Sequence, residues 1–121
     1  MENNYNSVSL YKAVLSLKNE IEAERFLKDI CTPGELRDLN ERWLVAQMLS
    51  DGASYRQINE LTGISTTTVG RVARFLNEES YQGYKLILER VKKKENKKFA
   101  NRFRKIKQLI KFKKDRGQIS Q

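Results

Sequence analysis

Between Ser54 and Leu76 the chain carries two short stretches of helical apolar spacing separated by only Thr62-Gly63-Ile64-Ser65. A connection this brief forces two helices to pack against each other at a steep angle. The first stretch opens with Ser54-Tyr55-Arg56-Gln57, a capping serine with Gln at the third helical position, and sends Ile58 and Leu61 inward. Gly63 stands at the turn, where a positive φ is needed that Gly alone adopts at little cost. Ile64 plugs the corner, Ser65 caps the second helix, and Val69 and Val72 face back onto the first at i and i+3. This order of residues is a helix-turn-helix signature.

With Ile64, Val69 and Val72 turned inward, the outward face of the second helix is determined: Ser65, Thr66, Thr67, Gly70, Arg71 and Arg74. Small hydroxyls near a helix N-terminus and forked guanidinium groups are the chemistry that reads base edges and grips phosphate. Arg56 and Gln57, opening the preceding helix, are candidates to hold the nucleic-acid backbone. Gly70 costs about 1 kcal/mol of helix stability relative to Ala, which fits a close approach of phosphate or base edge, or a tolerated surface glycine. Asn59 departs from the pattern, which usually carries a small residue such as Ala there. The same signature also occurs in purely structural helical hairpins.

The rest of the chain reads as helix too, with no alternating runs to suggest strands. Helices are expected over Val8–Lys18, Glu20–Ile30, from Thr32 to about Ser50, from Ser65 to about Leu76, and from Tyr81 onward. Thr32-Pro33-Gly34-Glu35 is the sharpest start, a capping Thr, a Pro at the first helical position and a Glu closing the box; Asp51-Gly52 is the stop. From Trp43 to Leu49 only Gln47 is polar. A helix apolar nearly all round must be covered on more than one side, by the neighbouring helices of a central core or by a second subunit, and the second-subunit arrangement is preferred.

Charge divides the chain. Of the net +9, residues up to Tyr84 carry 9 basic and 12 acidic groups, a net −3, whereas Lys85 to Gln121 carry 15 basic and 3 acidic, a net +12. The expected organisation is a near-neutral domain over 1–94 and a basic amphipathic tail over 95–121 that seeks polyanions. There is no His and one Cys, Cys31. That excludes Ser/His and Cys/His catalytic pairs, the usual zinc sites and an internal disulfide, so neither an enzyme nor a metal or other cofactor is expected. The short apolar runs and the N-terminal MENNYNSVSL are unlike a membrane span or signal peptide; a cytoplasmic, nucleoid-associated location is expected.

The segment from Cys31 to Arg42, followed by Ala46-Gln47-Met48-Leu49-Ser50-Asp51-Gly52, resembles the Trp repressor superfamily, and Ile64-Ser65-Thr66-Thr67-Thr68-Val69-Gly70-Arg71-Val72 resembles the recognition region of its YerC/YecD-type members. The similarity spans about residues 8 to 94. It implies an all-α, intertwined homodimer that binds a palindromic operator on double-stranded DNA, with half-sites about 34 Å apart, and a role as a repressor-type transcriptional regulator. Positions matching the repressor's tryptophan contacts are Thr32, Arg42 and Arg71, a candidate effector pocket. Val72 and Phe75 stand where the repressor has Gly and Ser, and that added bulk should fill the slot, so no tryptophan corepressor is expected.

The resemblance does not reach the tail. Between Lys97 and Lys114, Phe99, Phe103, Ile106, Leu109, Ile110 and Phe112 mark one apolar face opposite a basic one. The tail could add phosphate contacts to DNA, lie on an anionic membrane, which the absence of Trp and of a lipidation signal disfavours, or pack onto the domain or its dimer mate. The competing function is a helical interaction protein whose tail binds RNA or an acidic partner without reading sequence.

Overall fold

The structure, a computed structural model, describes the chain from Tyr5 to Ile119, and the side chains in that range except those of residues 93–100, 103 and 116–119. Its elements are α1 (Leu10–Leu15), α2 (Glu20–Ile30), α3 (Pro33–Ser50), α4 (Tyr55–Thr62), α5 (Thr66–Asn77) and α6 (Gly83–Ile119). The all-helical expectation holds, with no strand among the described residues. The chain divides into two compact units, one ending at Asp38 and the other beginning at Leu39.

The first unit is a series of capped helix starts. Ser9 Oγ accepts from the Lys12 N–H at 3.1 Å, and the Ser16 hydroxyl donates to the Ala13 carbonyl at 2.6 Å. Serines at both ends hold α1 to six residues, shorter than the Val8–Lys18 expected, because each offers the backbone a local alternative to continuing the helix. Asn19 Oδ1 accepts from the Glu22 N–H at 2.9 Å and starts α2. Thr32 and Glu35 close the anticipated box at α3: Thr32 Oγ1 accepts from the Glu35 N–H at 3.1 Å, and Glu35 Oε1 from the Thr32 N–H at 2.9 Å. No residue of α1 or α2 is buried.

The second unit holds the core. Val45, Ala46 and Met48 of α3, Ile58 of α4, Ile64, Val69, Val72 and Leu76 from the turn and α5, and Leu88 of α6 cluster together. α3 stops where expected, in a Schellman motif: Gly52 takes φ 95°, its N–H bonds the Leu49 carbonyl, and the Ala53 N–H reaches back to the Met48 carbonyl, both at 3.0 Å. Within the second unit α3 is covered on one side. Val45 and Ala46 are fully buried, but Leu39 and Leu44 remain 43% and 40% exposed.

α6 begins at Gly83 rather than Tyr81; the Tyr81 ring packs edge-on to Phe75 with centroids 4.5 Å apart. The helix then runs unbroken through the 94–95 boundary drawn from charge. Its contacts continue with it: Lys92 Nζ donates to Ser50 Oγ at 2.7 Å, Arg102 donates to Gln47 Oε1 at 2.8 Å, Ile106 packs on the core and Ile110 is buried. Leu109 and Phe112 stay exposed; Phe99 and Phe103 lie outside the described side chains. Among the described residues no helix is long and apolar enough to cross a membrane.

Candidate nucleic-acid interface

The turn between α4 and α5 is built almost wholly from side-chain chemistry of α4. Gly63 ends the helix in the left-handed region, φ 77°, with its N–H on the Asn59 carbonyl. The next residue, Ile64, must bury its side chain in the corner, and its backbone polar groups then need partners. Asn59 Nδ2 donates to the Ile64 carbonyl at 2.9 Å, and Thr62 Oγ1 accepts from the Ile64 N–H at 3.1 Å. Asn59, a departure in the sequence pattern, is the brace of the turn.

Ser65 then caps α5, accepting from the Thr68 N–H at 3.2 Å and donating to Thr68 Oγ1 at 3.1 Å. Thr68 is not among the sequence candidates; its place three residues after a capping Ser is the signal that marks it. The hydroxyl of Ser65 is thereby engaged in the fold. Thr66, Thr67, Arg71 and Arg74 lie exposed on the outward side of α5, opposite buried Val69, Val72 and Leu76. Gly70 is half-buried instead of open: a Cβ there would stand 3.8 Å from the Tyr55 ring, an ordinary contact.

Two of the candidate arginines are in ion pairs. Arg74 Nε donates to Glu78 Oε1 at 2.8 Å, and that bond, with the nearby charge of Glu78, raises the guanidinium pKa further. Arg56 Nε donates to Glu60 Oε1 at 2.8 Å. Both are i,i+4 pairs, a spacing readable from the sequence, and both are exposed enough to exchange for a phosphate at small cost. Gln57 completes the capping box, its Oε1 accepting from the Ser54 N–H at 2.9 Å, which leaves its amide N–H groups as the donors for a ligand.

The effector candidates fall in both units. Thr32 belongs to the first unit, closing the α3 box. Arg42 and Arg71 together line a cleft of about 240 Å³ whose walls include Val72, Phe75 and Tyr84. A broader hollow of about 680 Å³, lined by Trp43, Phe75, Tyr81, Tyr84 and Ile87 among others, is also present in the second unit. Among the described residues no three His, Cys, Asp or Glu side chains gather as a metal site.

A family model described as Trp repressor protein matches residues 6–92. The chain belongs to the Trp repressor family. YerC, an uncharacterized protein of Bacillus subtilis, is 43% identical over 86 residues, which is 71% of this chain and 82% of YerC. The crystal structure of a Staphylococcus aureus protein put forward as a Trp repressor matches with a TM-score of 0.63 at 38% identity, covering 68% of this chain and 81% of that one. The resemblance read from the two motif blocks is thus borne out, as is the Trp-repressor-like fold class. Members of the Trp repressor family are regulatory DNA-binding proteins and not enzymes; membership suggests a DNA-binding regulator.

Proposed function

We propose that the protein is a sequence-specific transcriptional regulator of the repressor type that binds a palindromic operator as a homodimer. The observation that carries this reading is the α4–α5 corner: a braced turn that holds α5 with Thr66, Thr67, Arg71 and Arg74 facing solvent on one side. Arg71 and Arg74 take base edges or phosphates, Thr66 and Thr67 the polar atoms beside them, Arg56 and the Gln57 amide the flanking backbone. Ser65 acts chiefly as the cap, and Gly70, beside the Tyr55 ring, leaves the middle of this face of α5 low for the approach of a phosphate or base edge.

Dimerisation is supported by unsatisfied apolar surface. No residue of α1 or α2 is fully buried, Leu39 and Leu44 of α3 are exposed, and the hollow beside Trp43 and Phe75 is lined by aromatic rings. A second copy covering these surfaces would bury them at roughly 25 cal/mol per Å². Tryptophan is not the effector in this reading, because Val72 is buried in the core and the Phe75 ring is packed on Tyr81, so neither yields space readily.

Selection of duplexes from a random pool with the full chain, followed by titration against the selected palindrome and a shuffled duplex, tests the proposal. Arg71→Ala with Arg74→Ala should erase the difference between the two duplexes. A preference that survives both substitutions would refute the assigned reading face, and binding that collapses equally on all duplexes as salt rises would indicate charge attraction without readout.

A further inference from the structure

The basic end of α6 is seated on the domain. Ile110 is 4% exposed and Ile106 packs against the core cluster, so the rotation of the last turns about the helix axis is fixed by burial. That rotation brings Lys113 and Lys114 to α4, where the two lysines and Glu60 line one cleft of about 330 Å³. Glu60 is the residue bonded to Arg56. Three cations and one carboxylate therefore meet at the exposed edge of α4, a local net charge of +2, and all four side chains reach solvent. Two elements far apart in the chain, one near neutral and one strongly basic, share a single positive surface at α4, the helix paired with the one that carries the reading face.

We infer that the exposed edge of α4 and the C-terminal end of α6 form one composite surface that grips the phosphate backbone of double-stranded DNA. The inference rests on the DNA-binding reading above, which already gives Arg56 to the backbone, and assigns the partner chemistry of Lys113 and Lys114, which that reading leaves out. Lysine suits a backbone grip, because its ammonium is a compact point charge without the rigid fork that selects a base. Each neutralised phosphate releases condensed counterions, which makes the contribution sequence-independent and salt-sensitive. Because the lysines ride on a packed helix, little further ordering is needed when they engage. Glu60 is already paired with Arg56, so its one charge leaves the surface net positive.

The test compares two charge-matched doubles of the full chain, Lys113→Ala/Lys114→Ala and Arg104→Ala/Lys111→Ala. At 100° per residue, Arg104 and Lys111 fall on the side of α6 turned away from Ile106 and Ile110, and both are exposed. Fluorescence anisotropy with the selected palindrome and its shuffled counterpart, across a salt series, reads affinity and slope. The first double should weaken both duplexes by the same factor, about 10-fold, and make the log–log salt slope shallower by about 1.8, the value for two lost phosphate contacts. The second should produce less than half of either change. Equal effects of the two doubles, an unchanged slope, or a loss confined to a single-stranded RNA of the same length would overturn the inference. The two readings fail separately: a wild-type chain with no preference between duplexes sinks the sequence-reading proposal, whereas an intact preference with no response to the lysine double sinks the composite surface alone.

Discussion

Arg74 Nε sits 2.8 Å from Glu78 Oε1, so one of the two arginines assigned to read DNA is held by its own helix terminus in the free protein. Exposed i,i+4 pairs are worth only about 0.3–0.5 kcal/mol, too little to keep the guanidinium from a phosphate or a guanine. The pair instead sets a modest threshold. Glu78→Gln removes that competitor and one negative charge beside the duplex. DNA binding should tighten by about 2- to 5-fold on any sequence, read by anisotropy, and a weaker complex would show that the pair positions Arg74 and does not restrain it.

Asn59→Ala deletes the donor to the Ile64 carbonyl. A neutral hydrogen bond contributes about 1 kcal/mol and an orphaned buried acceptor costs more, so stability should fall by about 1–2 kcal/mol. The check is the urea midpoint at constant slope. A smaller loss would mean that Thr62 and the Gly63 conformation hold the corner unaided.

Ser65 separates folding from binding. Ser65→Ala removes the cap of α5 and should cost about 1 kcal/mol. Ser65→Asp restores a capping oxygen, so the urea midpoint should return towards that of the wild type, while DNA affinity drops by about 10-fold because a carboxylate now faces phosphate. If both substitutions weaken DNA equally, the cap and the ligand surface are not separable at this position.

Asp51 and Glu35 should pull acid stability in opposite directions. Partial burial raises the Asp51 pKa, offset in part by Lys92 and Arg102. A raised folded-state pKa means that the folded form binds the proton more tightly, so this contribution to stability falls as pH climbs from the ordinary carboxylate value through the folded one. Glu35 is the reverse: the Thr32 N–H and hydroxyl hold its pKa low, and its contribution is present above the ordinary value and lost as pH drops through the folded one. Asp51→Asn should therefore raise stability at neutral pH and leave a steeper acid loss, and Glu35→Gln should flatten that loss. Urea midpoints across the acid range decide both signs.

Ile110→Ala should destabilise the protein by about 2 kcal/mol, towards the low end for a buried truncation because Ile110 is buried outside the main core cluster. Proteolysis of the C-terminal helix should accelerate with it. An unchanged midpoint would mean that α6 beyond Lys92 contributes nothing to the folded state.

What can be read from the residues is mostly what closes within one helical turn. The boxes at Thr32–Glu35 and Ser54–Gln57, the cap at Ser65 and the turn at Gly63 each depend on partners three or four positions away, and each forms as the local chemistry demands. The Arg56–Glu60 and Arg74–Glu78 pairs obey the same short spacing and are equally legible, although a reading that looks for DNA contacts weighs the arginines and passes over the glutamates. Asn59 looks like a flaw in the pattern because its value lies across the turn, at a carbonyl five residues on. The seating of the tail is not legible at all. Arg102 meets Gln47 across 55 positions, and an amphipathic stripe says only that a face will be covered, not by what.

An unbroken α6 from Gly83 to Ile119 makes the tail a matter of phase as well as charge. A flexible leash would average over orientations, and a residue more or less would alter its reach only slightly. In a rigid rod, one residue inserted near position 95 turns everything beyond it by about 100°, swinging Ile110 out of its seat and Lys113 away from Glu60 with composition and net charge almost untouched. Spacing along α6, and not the mere number of lysines, is what ties the end of the chain to α4.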